Sequence, residues 1–105
     1  MKFIRTPAAQ ADLWSQWDWY VDQGAPQIAD KFFDAVEKSF RSIQKSPFAP
    51  APRRHRNPRL DGLRAWPVKG FDEIRIYYFA RDDRIIIARV LHDKRDVASI
   101  LERDA

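Results

Sequence analysis

The spacing of apolar residues changes once along this chain, and that change limits the folds open to it. Between Pro26 and Ser46 apolar residues recur every three or four positions, as on one face of an amphipathic helix: Ile28, Phe32, Ala35, Val36, Phe40 and Ile43. From Leu63 to Leu101 apolar, aromatic and basic residues alternate, as in half-buried strands. The sequence therefore predicts an α+β domain with helices before most of its sheet.

Length and composition predict one folded domain. The chain has 105 residues, 45% of them hydrophobic and 32% charged, which suits a single core and excludes a disordered chain. No cysteine is present, which rules out disulfides and thiol chemistry, and two histidines are too few for a histidine-rich zinc site. Neither a glycine-rich phosphate loop nor a spaced acidic cluster is visible, so we expect no cofactor and no metal.

The N-terminus contains no apolar run of the kind that signal peptides have, and nowhere do eighteen apolar residues follow one another. We therefore expect a cytoplasmic protein with no membrane association. A single domain is expected over residues 1–105.

The N-terminal half is predicted to form a strand and a helical hairpin. A strand over Lys2 to Arg5 precedes Thr6 and Pro7, which cap and start a first helix that runs to about Asp22. Gly24 is expected to end that helix in the left-handed conformation. The apolar stripe of the first helix is Leu13, Trp17, Tyr20 and Val21, widened by Trp14. A second helix from Pro26 to about Ser46 follows, and a proline-rich irregular connector from Pro47 to Arg59 comes after it.

The C-terminal half is predicted to form a twisted antiparallel sheet of three to four strands and a short helix. The strands are Leu63 to Val68, with Pro67 at an edge or a bulge, then the segment around Ile74 to Phe79, then Arg84 to Leu91. A helix over Arg95 to Arg103 would fold back on the sheet.

The register of the last two strands depends on the turn at Asp82-Asp83. A two-residue turn would put Arg89 on the face of Ile76. A three-residue turn would expose Arg89 beside Arg75 and Tyr77. We favour the longer turn because it buries no unpaired guanidinium. The residues then buried against the helices are Ile74, Ile76, Tyr78, Ile86, Ala88 and Val90.

Positive charge is concentrated in the middle of the chain. Residues 47–70 hold six basic groups against one acidic group, whereas the segments on either side are nearly balanced. The basic residues are Arg53, Arg54, Arg56, Arg59, Arg64 and Lys69. Such a patch attracts anionic partners such as nucleic acid or an acidic protein, although a solvated basic loop has the same composition.

The ordered elements carry a family resemblance. The segments LRAWPVKGF and IIIARVLHDKRDVASIL, following a short strand and a helical hairpin, resemble the ParE branch of the RelE/ParE superfamily of type II toxin–antitoxin toxins, also described as plasmid stabilisation proteins. The Arg89 to Asp96 segment is the most specific part. The resemblance implies two helices packed on a twisted antiparallel sheet, and a small antitoxin that wraps and silences the toxin.

Two activities occur in this superfamily. ParE-like members inhibit DNA gyrase by binding, and RelE-like members cut mRNA on the ribosome without a metal. For the ribonuclease the resemblance offers Arg64, Arg75, His92 and Arg95 as catalytic candidates. Arginine cannot act as a base, however, and Leu101 stands where RelE-like enzymes have a tyrosine. His92 could be a base or a structural residue at the strand end, and Arg95 could instead pair with Asp96.

The resemblance therefore favours a growth-inhibiting gyrase binder that is not an enzyme, with the ribosome-dependent ribonuclease as the alternative. Its binding surface is predicted on an exposed face of the sheet and its rim: Arg64, Arg75, Tyr77, Arg89 and Arg95. A core this small is hard to fill with every aromatic residue of the chain, so some of them are expected to contact the antitoxin: Trp14, Trp19, Phe33 and Phe48.

Overall fold

The computed structural model describes residues 1–104 and contains three helices and four strands in one mixed sheet. Strand β1 spans Lys2–Arg5 and is followed by helices α1 (Pro7–Asp22) and α2 (Pro26–Lys45). A single 3-10 turn, Pro58–Leu60, interrupts the connector. Strands β2 (Arg64–Val68), β3 (Phe71–Ala80) and β4 (Arg84–His92) and helix α3 (Val97–Asp104) complete the fold. The predicted fold class and element order are confirmed.

Local sequence accounts for the helical hairpin. Thr6 Oγ1 accepts a hydrogen bond from the Ala9 amide at 3.1 Å and donates one to the Ala88 carbonyl at 2.9 Å. The same hydroxyl thus caps α1 and ties it to β4. Gly24 ends the α1 turn with a φ of 75°, as predicted.

The sheet order is β1-β4-β3-β2, with β1 parallel to β4 and the other neighbours antiparallel. The predicted antiparallel pairing is found for β2, β3 and β4, and the N-terminal strand joins this sheet in parallel. The helical hairpin and the strands after it carry the chain back beside β1, and such a long crossover permits a parallel pair. Pro67 lies on the edge strand at a shift in register, as predicted.

The turn between β3 and β4 has two residues, because the Arg81 amide donates to the Arg84 carbonyl at 2.8 Å across Asp82-Asp83. The favoured three-residue turn is wrong. Arg89 is nevertheless kept off the face of Ile76, because the register shifts between Tyr77 and Tyr78 and pairs Arg89 with Tyr77. This bulge adds one residue to β4.

The bulge also changes which residues of β4 are buried against the hairpin, relative to the prediction. Ile74, Ile76, Tyr78 and Val90 are buried against the hairpin as expected, but Ile86 and Ala88 are half-buried on the opposite face. Their places against the hairpin are taken by Ile85 and Ile87. Each residue from Ile85 to Ala88 is thus shifted by one relative to the predicted alternation.

Apolar side chains fill both faces of the sheet. The hairpin face holds the larger cluster, which includes Phe32, Phe40 and Ile43 from α2. Val21 and Ile28, predicted to join it, are exposed. The opposite face is covered by α3 and the 3-10 turn, and its buried residues are Leu60, Leu63, Ala65, Tyr77, Leu91, Ile100 and Leu101.

Within residues 1–104 no helix combines the length and apolar character that crossing a bilayer requires.

Candidate functional site

The predicted sheet-face site is not an open surface. Tyr77 retains 3% of its exposure, because α3 and the connector cover the face on which it lies. Leu101, at the position where RelE-like enzymes have a tyrosine, is buried in the same cluster. The prediction of an exposed sheet face is therefore wrong, and the reason is that Val97–Asp104 packs flat against it.

Arg89 is the most constrained cation of the predicted set. Its Nε and Nη2 donate to the two carboxylate oxygens of Asp12 at 2.7 and 2.8 Å, and its Nη1 donates to Asp104. Hydrogen bonds from Arg89 to Asp12 raise the pKa of its guanidinium above the ordinary value, despite the burial that opposes it. Arg89, predicted to be exposed, instead joins α1 to α3.

Asp12 was missed by the sequence reasoning. It is buried on α1, and one of its oxygens also accepts the Val90 amide at 2.9 Å, where β1 no longer covers the edge of β4. An acidic residue beside Leu13, at a core-facing position of an apolar stripe, was the available signal.

Arg64 holds the connector in place. Its Nη1 donates to the carbonyl oxygens of Phe48, at 3.3 Å, and Pro50. Its guanidinium lies 5.2 Å from the centre of the Phe48 ring. Arg64 and the half-exposed Phe48 are therefore in contact, although the sequence assigned them to different surfaces.

His92 lies among acidic groups at the end of β4. Its Nδ1 accepts the Lys94 amide at 3.1 Å, and its Nε2 lies 3.0 Å from the Glu73 carboxylate. Because Nδ1 accepts a hydrogen bond, Nε2 is the ring nitrogen that can donate to Glu73. Both ring nitrogens are engaged with protein groups, which fits the structural reading of this histidine.

Glu73, His92 and Asp93 could also ligate a metal, because one donor atom from each lies within 4.8 Å of the others. No spacing pattern in the sequence indicates this group, since Glu73 is on β3 and its two neighbours are at or just after the end of β4. The contacts that His92 makes account for the cluster without an ion.

The remaining predicted cations lie near this end of the sheet. Arg75 is half-buried and pairs with Asp93 at 3.7 Å. Arg95 is exposed and makes no ion pair with Asp96. Asp96 instead caps α3, accepting the Ser99 hydroxyl at 2.8 Å, and these bonds lower the pKa of its carboxyl. The suggested Arg95–Asp96 pair is wrong.

The four aromatic residues assigned to antitoxin binding do not form one surface. Trp14 and Phe33 are in contact, with ring centres 5.5 Å apart, and Trp17 lies 4.8 Å from the same Phe33 ring. We call these three residues the hairpin patch. Trp19 is about 140° around α1 from Trp14 and lines a cavity with His92 and Arg95. Phe48 belongs to the connector.

Comparison with known proteins identifies the class. The model of the ParE toxin of the type II toxin–antitoxin system parDE matches residues 3–97. This chain belongs to that family of toxins. A comparison with curated protein sequences gives no match.

Two solved structures share the fold. A chain of the chromosomal ParDE toxin–antitoxin system from P. aeruginosa is 23% identical, with a TM-score of 0.71 over 88% of this chain and 95% of that one. The YoeB/ParE toxin from Agrobacterium tumefaciens is 15% identical, with a TM-score of 0.59 over 88% of this chain and 98% of that one.

Proposed function

We propose that this toxin inhibits DNA gyrase by binding to it, without turnover, and that a cognate antitoxin neutralises it. Membership of the ParE family supports the proposal. The main structural support is that the ribonuclease candidates are used elsewhere: Arg64 bonds the connector and His92 bonds Glu73. Leu101 is buried at the position where the ribonucleases have a tyrosine.

The chemistry of RNA cleavage also favours gyrase binding over ribonuclease activity. Cutting RNA at the ribose 2′-hydroxyl needs a base that can give up a proton near neutral pH. Arg75 and Arg95 keep theirs, and the ring of His92 is engaged at both nitrogens. A toxin that acts by holding its target needs only complementary shape and charge.

We place the gyrase-binding surface on the cations that are exposed or half-buried, because covered residues such as Tyr77 cannot contact a target while α3 is in place. Arg75 and Arg95 lie at one end of the sheet. The connector adds exposed arginines, among them Arg53, Arg54 and Arg56. The affinity of these cations for the gyrase–DNA complex would then fall strongly as the salt concentration rises.

A supercoiling assay with purified toxin and gyrase tests this proposal. Excess toxin is expected to abolish supercoiling and to trap cleaved DNA. The double charge reversal Arg53→Glu/Arg54→Glu is expected to require about tenfold more toxin. Reversal of two exposed cations on α2, Arg41→Glu/Lys45→Glu, is the matched control. Full supercoiling at toxin excess, or mRNA cuts on translating ribosomes in a toeprint, would contradict the proposal.

We propose that the antitoxin contacts the hairpin patch with an amphipathic helix, in the cytoplasm where gyrase also works. Trp14 keeps 51% of its exposure although it packs edge to face on Phe33, so it offers a rigid aromatic anchor. Helices dock into apolar surfaces of this kind through such anchors.

Trp14→Ala is expected to weaken the toxin–antitoxin complex at least tenfold in a calorimetric titration. Trp19→Ala removes an equally exposed indole from another face of α1 and is the control. Equal losses for both variants would contradict the assignment to the hairpin patch.

A further inference from the structure

The cavity beside Trp19, which we call the Trp19 pocket, is separate from the covered sheet face and the hairpin patch. It lies between α1 and the ends of β3 and β4, and its volume is about 580 Å³. Small-molecule sites in proteins usually have volumes in this range. Antitoxin binding as proposed above does not use this pocket, and Arg95 is the residue that it shares with the proposed gyrase-binding surface.

One wall of the pocket is a flat aromatic surface. Trp19 is 55% exposed, and its ring packs edge to face on Tyr20 with centres 5.3 Å apart. The indole therefore has an aromatic neighbour that restrains it, while about half of its surface stays exposed. Planar bases stack on aromatic rings presented in this way.

One of the two acidic groups in the pocket is paired with a cation. Asp12 receives two hydrogen bonds from Arg89, at 2.7 and 2.8 Å. Glu73 is exposed to water and lies 3.0 Å from His92 Nε2. The Asp12 charge is therefore offset by Arg89 and the Glu73 charge is screened by water, so they repel an incoming anion less than two unpaired buried carboxylates would.

The cations of the pocket remain available. Lys94 and Arg95 are both exposed, and neither side chain forms an ion pair with any described residue from Met1 to Asp104. Both lie in the tight turn after β4, in which the Arg95 amide donates to the His92 carbonyl at 3.1 Å. A guanidinium and an ammonium on a short ordered turn suit a phosphate group.

Polar residues share the pocket with the indole and the cations. Ser15, Gln16 and the Tyr20 hydroxyl line the pocket. Burial raises the pKa of Tyr20, and a hydrogen bond from Gln16 partly opposes this, so the hydroxyl is a donor at neutral pH. An amide and hydroxyls of this kind can pair with the edge of a base or with a ribose.

A peptide strand fits the same space poorly. Strand addition needs free backbone groups on the edge of β4, but Asp12 already accepts the Val90 amide at 2.9 Å. A docking helix would need a long apolar groove, whereas Trp19, Tyr20 and Val90 are the apolar side chains that line this pocket.

We infer that the Trp19 pocket binds a nucleoside phosphate, with the base stacked on Trp19 and the phosphate on Lys94 and Arg95. A free nucleotide and an unpaired nucleotide of single-stranded nucleic acid present the same chemistry.

Calorimetric titration of the full-length toxin with AMP, with a short single-stranded oligothymidylate and with adenosine tests the inference and separates the sources. AMP is expected to bind in the micromolar to millimolar range and adenosine about tenfold more weakly, since it lacks the phosphate. Binding of AMP identifies the single nucleotide as sufficient. Binding of the oligonucleotide without AMP identifies single-stranded nucleic acid as the source. Binding of neither overturns the inference.

Two variants locate the site, each with a matched control. Trp19→Ala and Arg95→Glu are each expected to weaken binding about tenfold. Trp14→Ala, on the same helix, and Arg41→Glu, on α2, are expected to leave it unchanged. All four residues are exposed, so thermal unfolding should show that the variants fold. Equal weakening by Trp14→Ala and Trp19→Ala would overturn the assignment to this pocket.

The same titrations distinguish this inference from the proposed gyrase inhibition. If gyrase is inhibited by Trp19→Ala as by the unchanged toxin, while AMP binding is lost, the pocket serves a separate ligand. If neither AMP nor the oligonucleotide binds although gyrase is inhibited, the pocket inference alone fails.

Discussion

The two faces of the sheet are covered in different ways. On the hairpin face, α2 alone contributes six buried residues, and the covering is almost entirely apolar. On the opposite face, α3 contributes only Ile100 and Leu101. That thinner cover is fastened by polar contacts: Arg89 to Asp104, Asn57 to Glu102 at 3.3 Å, and Arg64 to the connector carbonyls.

The two faces are therefore stabilised by different kinds of interaction. Apolar burial stabilises in proportion to area and needs no particular direction, so a long amphipathic helix is sufficient on the hairpin face. A helix of eight residues buries too little area for this. Directed bonds from the sheet and connector must then hold it.

The largest effect is expected on the hairpin face. Phe32 is fully buried, so Phe32→Ala should lower the free energy of unfolding by about 4 kcal/mol through lost burial and a cavity. Urea denaturation measures this. Ile28→Ala, at an exposed position on the same helix, should change stability by less than about 0.5 kcal/mol. A small loss for Phe32→Ala would show that this core is loosely packed.

The contact between the two layers comes next. Asp12→Ala leaves the Arg89 guanidinium, whose side chain is 13% exposed, with Asp104 alone, and it also removes the acceptor of the Val90 amide. A loss of about 3 kcal/mol is expected. Asp18→Ala on the same helix, at an exposed position, is the control. If the two variants were equally stable, Arg89 would not be the joint between α1 and α3.

The α3 face should give a smaller and more local effect. Leu101→Ala removes one of the two buried side chains of α3 and should cost about 2 kcal/mol, because this shallow cluster can partly collapse. Hydrogen exchange should speed up in α3 and leave the α2 amides protected. Uniform acceleration through both helices would show that the two faces unfold as one unit.

The smallest effect is expected at a polar contact of the hairpin face. The Tyr78 hydroxyl donates to the Pro47 carbonyl at 2.9 Å, so Tyr78→Phe should cost about 1 kcal/mol near neutral pH.

The same variant should also change the pH dependence of stability. Burial raises the pKa of Tyr78 from 10.0 to about 12. Between pH 10.0 and about pH 12, Tyr78 ionises mainly in the unfolded chain, so the free energy of unfolding of the wild type falls as the pH rises through this range. Below this range the stabilisation is fully present. Tyr78→Phe lacks the ionisable hydroxyl, so the difference in free energy of unfolding between the wild type and the variant should be smaller at about pH 11 than at about pH 8. An equal difference in free energy of unfolding at the two pH values would contradict the raised pKa of Tyr78.

The sequence predicted elements better than the contacts between them. Thr6, Pro7 and Gly24 act locally, so the start and end of α1 could be predicted from chemistry within a few residues. The β4 register could not, because the bulge beside Tyr77 inserts a residue that no alternating pattern anticipates.

The candidate sites show the same limit. The exposure of Trp14 and Trp19 follows from their positions around α1, but their separation into two surfaces depends on where α2 and β4 pack. Tyr77 was assigned to an open face because nothing in its own strand reveals that α3 covers it. Long-range packing decides such questions, and one sequence carries little information on it.

Because β1 pairs with β4, the toxin cannot complete its sheet early in synthesis. Lys2–Arg5 has no partner until Arg84–Ile87 has been synthesised, and β4 is the strand that separates β1 from β3. A nascent or prematurely terminated chain lacking β4 cannot assemble the four-stranded sheet, so the folded toxin forms only after residue 87 has been synthesised.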